Sequence, residues 1–319
     1  MKVKLPEKLV KPLDYLFIFR PTLFFPVWII TLAGYSAYFT FREQALWWVL
    51  DFNIKLVFNF IFVTAVAGAT FIYNQLMDIS TDKVNKKLFL ISEEYVRPKV
   101  AKRIANLSLV LSGVYFLATF QFITFVFIAF FTLLWGYLYN FKPFCWKDKA
   151  VQGLLVNIGG GFLLFVAGWS MAGGIGLDTA LFSLPYMFAF GAVTLLTTIP
   201  DYEGDLASGK STFAVRFGFN ITIYLSVIFV FLALILGMYF KDPVISLPSL
   251  ISIPLYVILL FKRNIPWVFR CIRYPILFLG LILCVQFPYF FILLVINYYL
   301  SRIYYLSRFG LDYPTFKVE

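Results

Sequence analysis

The sequence predicts an all-α protein that crosses a membrane many times. Hydrophobic residues make up 61% of the 319-residue chain and charged residues only 13%, whereas a soluble globular protein carries roughly 25% charge. The long apolar runs mix Phe, Leu, Ile and Val without the two-residue alternation of a barrel strand, so they predict helices. Lysine and arginine collect in alternate loops, a pattern typical of multi-pass membrane proteins.

The apolar runs indicate about nine transmembrane spans, because a helix needs roughly 20 residues to cross a bilayer. The uncharged stretch 105–141 is too long for one crossing, and we divide it near Thr119–Gln121. The last run is also long and contains Pro288, which predicts a kink or a break. We expect residues 1–319 to form a single transmembrane domain. The predicted spans are Pro21–Phe41, Leu56–Tyr73, Ala105–Phe120, Gln121–Leu138, Val151–Met171, Thr179–Pro200, Phe219–Phe240, Val244–Phe261 and Pro275–Leu300.

The basic residues predict the topology. With the N-terminus inside, 21 of the 27 Lys and Arg residues fall in inside segments and six fall in outside segments. By the positive-inside rule, we expect an integral protein of the cell's inner, cytoplasmic membrane. Arg302, Arg308 and Lys317 then lie outside, against the rule. A tenth crossing after Pro288 would bring them inside, and the sequence leaves that alternative open.

Composition also excludes several kinds of chemistry. The chain has no histidine, which removes histidine metal ligands and a histidine base. Cys145, Cys271 and Cys284 are too far apart in sequence to indicate a metal or redox pair. The net charge of +11 does not indicate a nucleic-acid partner, because the basic residues lie in loops between apolar runs. We therefore expect membrane lipid around the protein and no nucleic acid.

Two acidic clusters stand at the inside ends of apolar runs, and with Glu203 of the second cluster they hold five of the chain's 16 acidic residues. The first contains Asn74, Asp78 and Asp82 and follows the second span. The second contains Asp201 and Asp205 and follows the sixth span. A spacing of four residues places these side chains on one face of a helix, where carboxylates repel each other unless a cation lies between them.

The clusters predict a divalent metal site that binds a phosphorylated ligand. Mg²⁺ prefers oxygen ligands and is typically held by one or two carboxylates together with substrate phosphates. Two acidic faces on one side of the membrane would clamp a diphosphate through shared metal ions. The alternative is that these residues are ordinary polar loop residues and helix caps. Arg20 and Lys210 are candidates to neutralise the ligand, although each also fits a positive-inside anchor.

The clusters resemble the two signatures of the UbiA-type intramembrane prenyltransferases, N-x-x-x-D-x-x-x-D and D-x-x-x-D. The stretch from Asn74 to Lys86 resembles the first motif of the homogentisate/4-hydroxybenzoate-type branch. The stretch after the sixth span resembles the second motif with its usual tail. Arg20 and the Pro-Thr that follows resemble the family's entry to its first helix. The segment from Tyr139 to Lys147 resembles its loop between helices four and five.

This resemblance implies nine transmembrane helices around a central cavity, with the active site facing the cytoplasm. It also implies Mg²⁺-dependent transfer of a prenyl group from a prenyl diphosphate donor to a small aromatic or lipid acceptor. The implied catalytic residues and metal ligands are Asp78, Asp82, Asp201 and Asp205. The implied substrate-binding residues are Asn74, Arg20, Tyr139, Lys147 and Lys210.

The acceptor stays open at this point. A quinone-ring precursor such as a hydroxybenzoate or homogentisate is the first choice, and a glycerol-phosphate lipid, a chlorophyll-type ring or a naphthoate are alternatives. The segment after Asn85 lacks the Gly and Pro of many relatives, and Cys145 stands where close relatives often have a basic residue. Both differences bear on the choice of acceptor.

Two alternatives come from other functional classes. In an ion-coupled transporter, the acidic residues usually lie near the bilayer midplane at broken helices, whereas these lie at the ends of spans. A non-catalytic protein that binds prenyl lipids is the other alternative, and retention of all five polar motif residues speaks against it.

Overall fold

Helices make up almost all of the regular structure in this computed structural model, which describes residues 5–42, 52–84 and 89–315. A 3₁₀ turn at Pro21–Leu23, a π-helical turn at Thr132–Leu138 and a 3₁₀ turn at Trp146–Asp148 interrupt the α-helices. The all-α prediction is confirmed. The α-helices are α1 Glu7–Phe17, α2 Phe24–Arg42, α3 Ile54–Met77, α4 Ile79–Val84, α5 Phe89–Ser92, α6 Pro98–Ala118, α7 Phe122–Phe131, α8 Ala150–Ala172, α9 Leu177–Thr197, α10 Tyr202–Ala207, α11 Phe213–Tyr239, α12 Pro243–Lys262, α13 Ile265–Gln286 and α14 Pro288–Phe309.

Nine helical segments in the described ranges are long and apolar enough to cross a membrane, and they contain α2, α3, α6, α8, α9, α11, α12, α13 and α14. A shorter apolar segment, Phe122–Leu138, joins α7 to the π-helical turn. Its 17 residues would extend about 26 Å as an α-helix, close to the thickness of a hydrocarbon core. The predicted multi-pass helical architecture is confirmed.

The predicted ninth span, Pro275–Leu300, is wrong because it is two helices. The helical path breaks at Phe287, whose φ of −125° and ψ of 78° are not helical, and Pro288 begins α14. Proline suits this position because the first turn of a helix needs no N–H from it. α14 is therefore a separate helix, long and apolar enough to form the further crossing that the sequence left open.

This tenth crossing changes the position of the C-terminal basic residues. Arg308, near the end of α14, pairs with Asp14 of α1. The end of the last helix therefore lies on the same side of the bundle as the N-terminal helix. The sequence count placed Arg302 and Arg308 outside, but both belong to the basic side of the bundle. The excess of Lys and Arg on that side is therefore larger than the sequence count gave. Lys317 lies beyond the described residues.

A buried ion pair ties α1 to α14. The Asp14 carboxylate, only 3% exposed, accepts hydrogen bonds from the Tyr304 hydroxyl at 2.6 Å and from Arg308 Nη2 at 2.8 Å. The Arg308 guanidinium also lies 4.2 Å from the centre of the Tyr95 ring. Phe17 stacks on Tyr304 with ring centroids 3.7 Å apart. Aromatic contacts and hydrogen bonds thus fix the N-terminal helix against the last one.

Close packing of α2 against α8 lies at the centre of the bundle. A Cβ atom at Gly34 would clash with the Phe165 carbonyl oxygen, and one at Gly168 would clash with the Thr31 carbonyl oxygen. Between membrane helices there is no hydrophobic driving force for association, because the surrounding lipid is also apolar. Close packing contributes instead, and glycines allow the helix backbones to approach closely. This contact fixes α8, which begins at Ala150 directly after the loop that carries Lys147.

Replacing Asp14 with Ala is expected to destabilise the protein. The change leaves the Arg308 guanidinium buried without its carboxylate, a loss that typically costs about 3–5 kcal/mol. We expect a clear decrease in the unfolding temperature in detergent, measured by intrinsic tryptophan fluorescence. The matched control is Lys11→Ala, which removes the ion pair with Glu7 on the exposed face of the same helix and should leave the unfolding temperature unchanged. Equal unfolding temperatures for the two variants would contradict this account.

The two ends of the chain are expected on the same side of the membrane. Reporters fused before residue 1 and after residue 319 should show the same protease accessibility in oriented vesicles. A reporter inserted beside Lys241, in the turn between α11 and α12, should show the opposite accessibility. Opposite accessibility of the two terminal reporters would argue against a membrane-crossing α14.

Candidate active site

The first cluster lies where α3 ends. Asp78 stops this helix, with φ −103° and ψ 11°, and its N–H donates to the Asn74 carbonyl at 3.1 Å. The N–H of Asp82, in α4, donates to the Asp78 carbonyl at 2.8 Å. The single continuous helix face that the spacing predicted is therefore interrupted at Asp78. The next motif residues, 85–88, lie outside the described residues.

Asn74 is held by a buried amide that the sequence analysis missed. Its Nδ2 donates to Asp78 Oδ2 at 3.2 Å and to Asn140 Oδ1 at 2.8 Å. Asn140, only 3% exposed, donates in turn to the carbonyls of Trp135 and Gly136 at 2.9 and 3.1 Å. A buried amide normally has such partners. Its sequence signal is weak: a polar residue immediately after a long uncharged run.

Lys147 reaches the first cluster from the loop before α8. Its Nζ lies 2.5 Å from Asp78 Oδ2, with side-chain exposures of 10% for Lys147 and 22% for Asp78. The backbone of this loop turns through Cys145, which has a left-handed φ of 39°. Cys145 itself lines neither of the two cavities described below. The loop thus places the Lys147 ammonium beside the Asp78 carboxylate, which is 69 residues away in the chain.

The second cluster keeps the one-face arrangement that the spacing predicted. Asp201 begins α10, and the Asp205 N–H donates to its carbonyl at 2.9 Å. Thr212 Oγ1 donates to Asp205 Oδ2 at 3.0 Å, and Lys210 Nζ lies 3.8 Å from Asp205 Oδ1. Gly209, with a φ of +72°, forms the tight turn after α10 that glycine favours. This turn brings Lys210 back onto the cluster.

A second missed residue, Asp148, connects the two loops. Its Oδ1 lies 3.8 Å from Lys210 Nζ, and its carbonyl accepts from the Ser211 N–H at 2.9 Å. Lys149 and Ser211 form an isolated parallel bridge. This Oδ1 atom is buried and accepts no hydrogen bond from the described residues. The available signal was that Asp148 is the lone acidic residue of the stretch 95–177.

Both clusters line one polar cavity of about 260 Å³. Seven of the predicted site residues line it: Asn74, Asp78, Tyr139, Lys147, Asp201, Asp205 and Lys210. The polar residues that the sequence analysis missed are Asp148, Lys149, Asn157, Thr194, Thr197, Thr198 and Thr212. Arg20 and Asp82 are not among the lining residues. Carboxylates, ammonium groups and hydroxyls thus converge on a single chamber.

Asp82 does not line this chamber and is 9% exposed. Burial, together with the nearby Asp78 charge, raises its pKa to about 6, while Arg20, Lys147 and Lys210 oppose the shift. Arg20 has a left-handed backbone conformation, with φ 56° and ψ 63°, and burial lowers the pKa of its guanidinium. An arginine remains charged under all ordinary conditions. The charges of Arg20 and Asp82 thus interact with each other at the edge of the described site.

Burial also shifts two groups that line the chamber. It raises the pKa of Asp205, while the Thr212 hydrogen bond and the Lys210 charge oppose the shift. It raises the pKa of Tyr139 to about 12, helped by the charge of Asp78. Desolvation of an anion causes both shifts. The Tyr139 hydroxyl is therefore neutral at physiological pH.

An apolar cavity of about 290 Å³ continues from the polar one into the bundle. The two share Tyr139, Asn157, Thr194 and Thr197 in their linings. The remaining lining comes from α2, α9, α11, α12 and α13 and is mostly aliphatic and aromatic: Pro26, Ile29, Ile30, Tyr186, Ala189, Phe190, Val193, Val230, Ile245, Pro248, Ser249, Ser252, Tyr256, Ile272, Pro275, Ile276 and Leu279. The predicted central cavity is present, with a polar mouth and an apolar interior.

The lining of the polar chamber fits Mg²⁺ through its donor atoms. Asp78, Asp201 and Asp205 offer carboxylate oxygens, which are ligands that this ion prefers. Within the described ranges, no group of three or more His, Cys, Asp or Glu side chains converges closely enough to hold a metal unaided. A bound cation therefore needs further oxygen ligands from water or from a ligand phosphate, as Mg²⁺ commonly does.

Two relatives match parts of the chain. Digeranylgeranylglyceryl phosphate synthase of Sulfurisphaera tokodaii is 28% identical over 174 residues, which are 54% of this chain and 61% of that protein. The chloroplastic 2-acyl-4-prenylphloroglucinol 6-prenyltransferase of Humulus lupulus is 28% identical over 217 residues, which are 62% of this chain and 50% of that protein. The matches thus cover between half and two thirds of the length of these relatives.

Solved structures share the fold. A structure of a digeranylgeranylglyceryl phosphate synthase superposes with a TM-score of 0.64 at 19% identity, over 86% of this chain and 97% of that one. A UbiA homologue from Archaeoglobus fulgidus bound to GPP and Mg²⁺ superposes with a TM-score of 0.61 at 20% identity, over 86% and 99% of the two chains.

The sequence itself matches the UbiA prenyltransferase family over residues 27–274. The matched region includes both acidic clusters, the loop that carries Lys147 and most of the apolar cavity lining. Because this match covers most of the chain, the protein belongs to the UbiA prenyltransferase family.

Proposed function

We propose that the chain, acting over residues 1–319 as one transmembrane unit, is a Mg²⁺-dependent prenyltransferase. It transfers a prenyl group from a prenyl diphosphate to an acceptor within the membrane. One observation carries the proposal: a chamber lined by carboxylates and lysines opens directly into an apolar cavity. The two compartments match the charged and hydrocarbon halves of such a donor. Solved structures of a UbiA homologue from Archaeoglobus fulgidus bound to GPP and Mg²⁺ or to DMAPP and Mg²⁺ support this assignment.

The four aspartates would hold the metal. Asp78, Asp201 and Asp205 line the chamber, and the Asp82 N–H donates to the Asp78 carbonyl at 2.8 Å. When bound, Mg²⁺ would neutralise the departing diphosphate and so favour cleavage of the allylic carbon–oxygen bond. Asn140 positions Asn74 beside Asp78, and Thr212 positions Asp205. Hydrogen bonds within the protein therefore fix the positions of these carboxylates before a ligand binds.

Three cations would neutralise the rest of the diphosphate charge. Lys210 lies 3.8 Å from both Asp148 and Asp205, too far for a strong hydrogen bond to either. Its ammonium can therefore turn to a phosphate oxygen. Lys147 pairs with Asp78 and can share its three N–H donors with an incoming anion. Arg20 contributes positive charge from behind the chamber.

The apolar cavity would hold the prenyl chain and exclude water from the allylic carbon. Tyr139 stands at the junction of the two cavities. An aromatic face there can stabilise developing positive charge. Water exclusion protects a reactive carbocation from hydrolysis. The chain has no histidine, so a carboxylate or the released diphosphate would accept the proton lost by the acceptor.

A quinone-ring precursor such as a hydroxybenzoate or homogentisate is the proposed acceptor. The phloroglucinol ring in the name of the Humulus lupulus relative supports an aromatic acceptor. The name of the Sulfurisphaera tokodaii relative supports the alternative, a glycerol-phosphate lipid. An assay with both acceptor classes separates them. The site would face the cytoplasm, because the basic loops surround it.

Replacing Asp78 or Asp201 with Asn should abolish prenyl transfer. Each change removes a carboxylate from the proposed metal site, and loss of one electrostatic stabiliser typically lowers the rate about 100-fold or more. Transfer is measured with labelled prenyl diphosphates and the two acceptor classes in nanodiscs, with Mg²⁺ and with EDTA.

The matched control for these variants is Glu203→Gln. Glu203 lies in the second cluster but is exposed and does not line the chamber. The control should retain wild-type activity, and all three variants should keep the wild-type unfolding temperature. Full activity of folded Asp78→Asn or Asp201→Asn would refute the proposal. Ion flux through proteoliposomes without any transfer would favour the transporter alternative instead.

Replacing Asp148 with Asn should weaken donor binding without abolishing transfer. The change removes the negative charge that holds Lys210 between the two loops. We expect KM for the prenyl diphosphate to increase roughly tenfold with a smaller change in kcat, since a positioning charge affects mainly binding. Asp178→Asn, which breaks an ion pair with Arg42 at the opposite end of the bundle, is the control and should leave KM unchanged. Unaltered KM in Asp148→Asn would show that Lys210 does not depend on Asp148.

A further inference from the structure

The depth of the apolar cavity can be measured along two helices. On α9 its lining extends from Thr197, at the polar chamber, to Tyr186, eleven residues away. On α12 it extends from Tyr256 to Ile245, again eleven residues. A helix rises roughly 1.5 Å per residue, so each helix gives a depth of about 16 Å. The lining on both helices therefore gives the same depth for the cavity.

Tyr186 closes the deep end of this cavity. Its side chain is fully buried, and its ring centroid lies 5.0 Å from that of Phe165. Its hydroxyl donates to Asp242 Oδ2 at 2.6 Å. Asp242 is 1% exposed, and its other oxygen accepts from the Val244 N–H at 3.0 Å, which caps α12. Displacing the ring would leave the buried Asp242 Oδ2 atom without the Tyr186 donor, which is costly. The ring is therefore a rigid floor.

Above the floor, the cavity lining includes small side chains together with the larger Phe190 and Val193. Ala189 lies one helical turn from Tyr186 toward the polar chamber, and Ser249 and Ser252 line the facing side on α12. These residues leave the path to the floor open. Ile245 and Leu279 also line the cavity, and Ile245 is the last lining residue of α12 at its deep end.

We infer that Tyr186, fixed by Asp242, limits the donor to about three isoprene units, a farnesyl-sized chain. Three main-chain bonds of an extended chain span roughly 3.6 Å, so the four bonds of one isoprene unit span about 5 Å. A depth of about 16 Å then holds three units, and the end of a fourth meets the Tyr186 ring. This inference rests on the proposed function and specifies the donor for the same site.

The donor series for the wild-type protein tests the length directly. Dimethylallyl, geranyl, farnesyl and geranylgeranyl diphosphates are compared in nanodiscs with Mg²⁺ and the acceptor panel. We expect kcat/KM to increase up to farnesyl and to decrease roughly tenfold at geranylgeranyl, as a pocket of fixed size discriminates against added carbons. Equal kcat/KM for farnesyl and geranylgeranyl donors would overturn the inference.

Variants at the floor and above it should shift this preference in opposite directions. Tyr186→Ala deepens the cavity, so geranylgeranyl should become at least as good a donor as farnesyl. Ala189→Phe fills the cavity one turn above the floor, so geranyl should replace farnesyl as the best donor. Leu184→Ala, on the exposed face of α9, is the control and should keep the farnesyl preference. A folded Ala189→Phe variant that still prefers farnesyl would contradict the measured depth, even if Tyr186→Ala does not fold.

Binding without turnover separates this inference from the proposed function. Non-hydrolysable thiolodiphosphate analogues of the four donors are titrated with Mg²⁺ while the unfolding temperature is followed. The largest stabilisation should occur with the farnesyl analogue. A farnesyl optimum without transfer from any donor would refute the proposed function and leave the floor in place. Equal stabilisation by farnesyl and geranylgeranyl analogues would refute the floor, whatever the transfer assay shows.

Discussion

Desolvation of charge is the constraint on which the site depends. An unpaired carboxylate at the edge of an apolar bundle is costly, and the cost falls only if a cation or hydrogen-bond donors lie beside it. Asp78 has Lys147, Asp205 has Thr212 and Lys210, and Asp82 has the positive charges around it. These partners balance only part of the acidic charge. In the proposed function, the residual negative charge would attract a divalent ion to the chamber.

Two loops meet above the cavity, one carrying Asp148 and the other carrying Lys210. They belong to opposite halves of the chain, and the site exists only where they touch. The Asp148 carbonyl accepts from the Ser211 N–H, and Lys210 lies between Asp148 and Asp205. Close packing of α2 on α8 fixes the base of the first loop, and Gly209 sets the turn of the second. Backbone contacts thus set the separation of the clusters before any ligand arrives.

Sequence reasoning reached the helical class, most of the spans and seven chamber-lining residues, because each leaves a local signal. A span has continuous apolar composition, and Asp201 and Asp205 have helical spacing. It did not reach the bend at Asp78 or the partnership of Asn140 with Asn74, because both are decided by contacts between distant segments. The sequence indicated an interruption near Phe287 but not its kind, since a proline is compatible with either a kink or a new helix.

The pairing of Asp14 with Tyr304 and Arg308 also has a consequence for biosynthesis. Its partners are separated from Asp14 by 290 and 294 residues. During translation, the N-terminal helix is made first, yet its docking site is completed only when the last helix has entered the membrane. Until that moment Asp14 keeps its hydration and α1 remains available to the lipid surface. A product truncated before α14 would therefore expose α1, an undocked amphipathic helix, to cellular quality control.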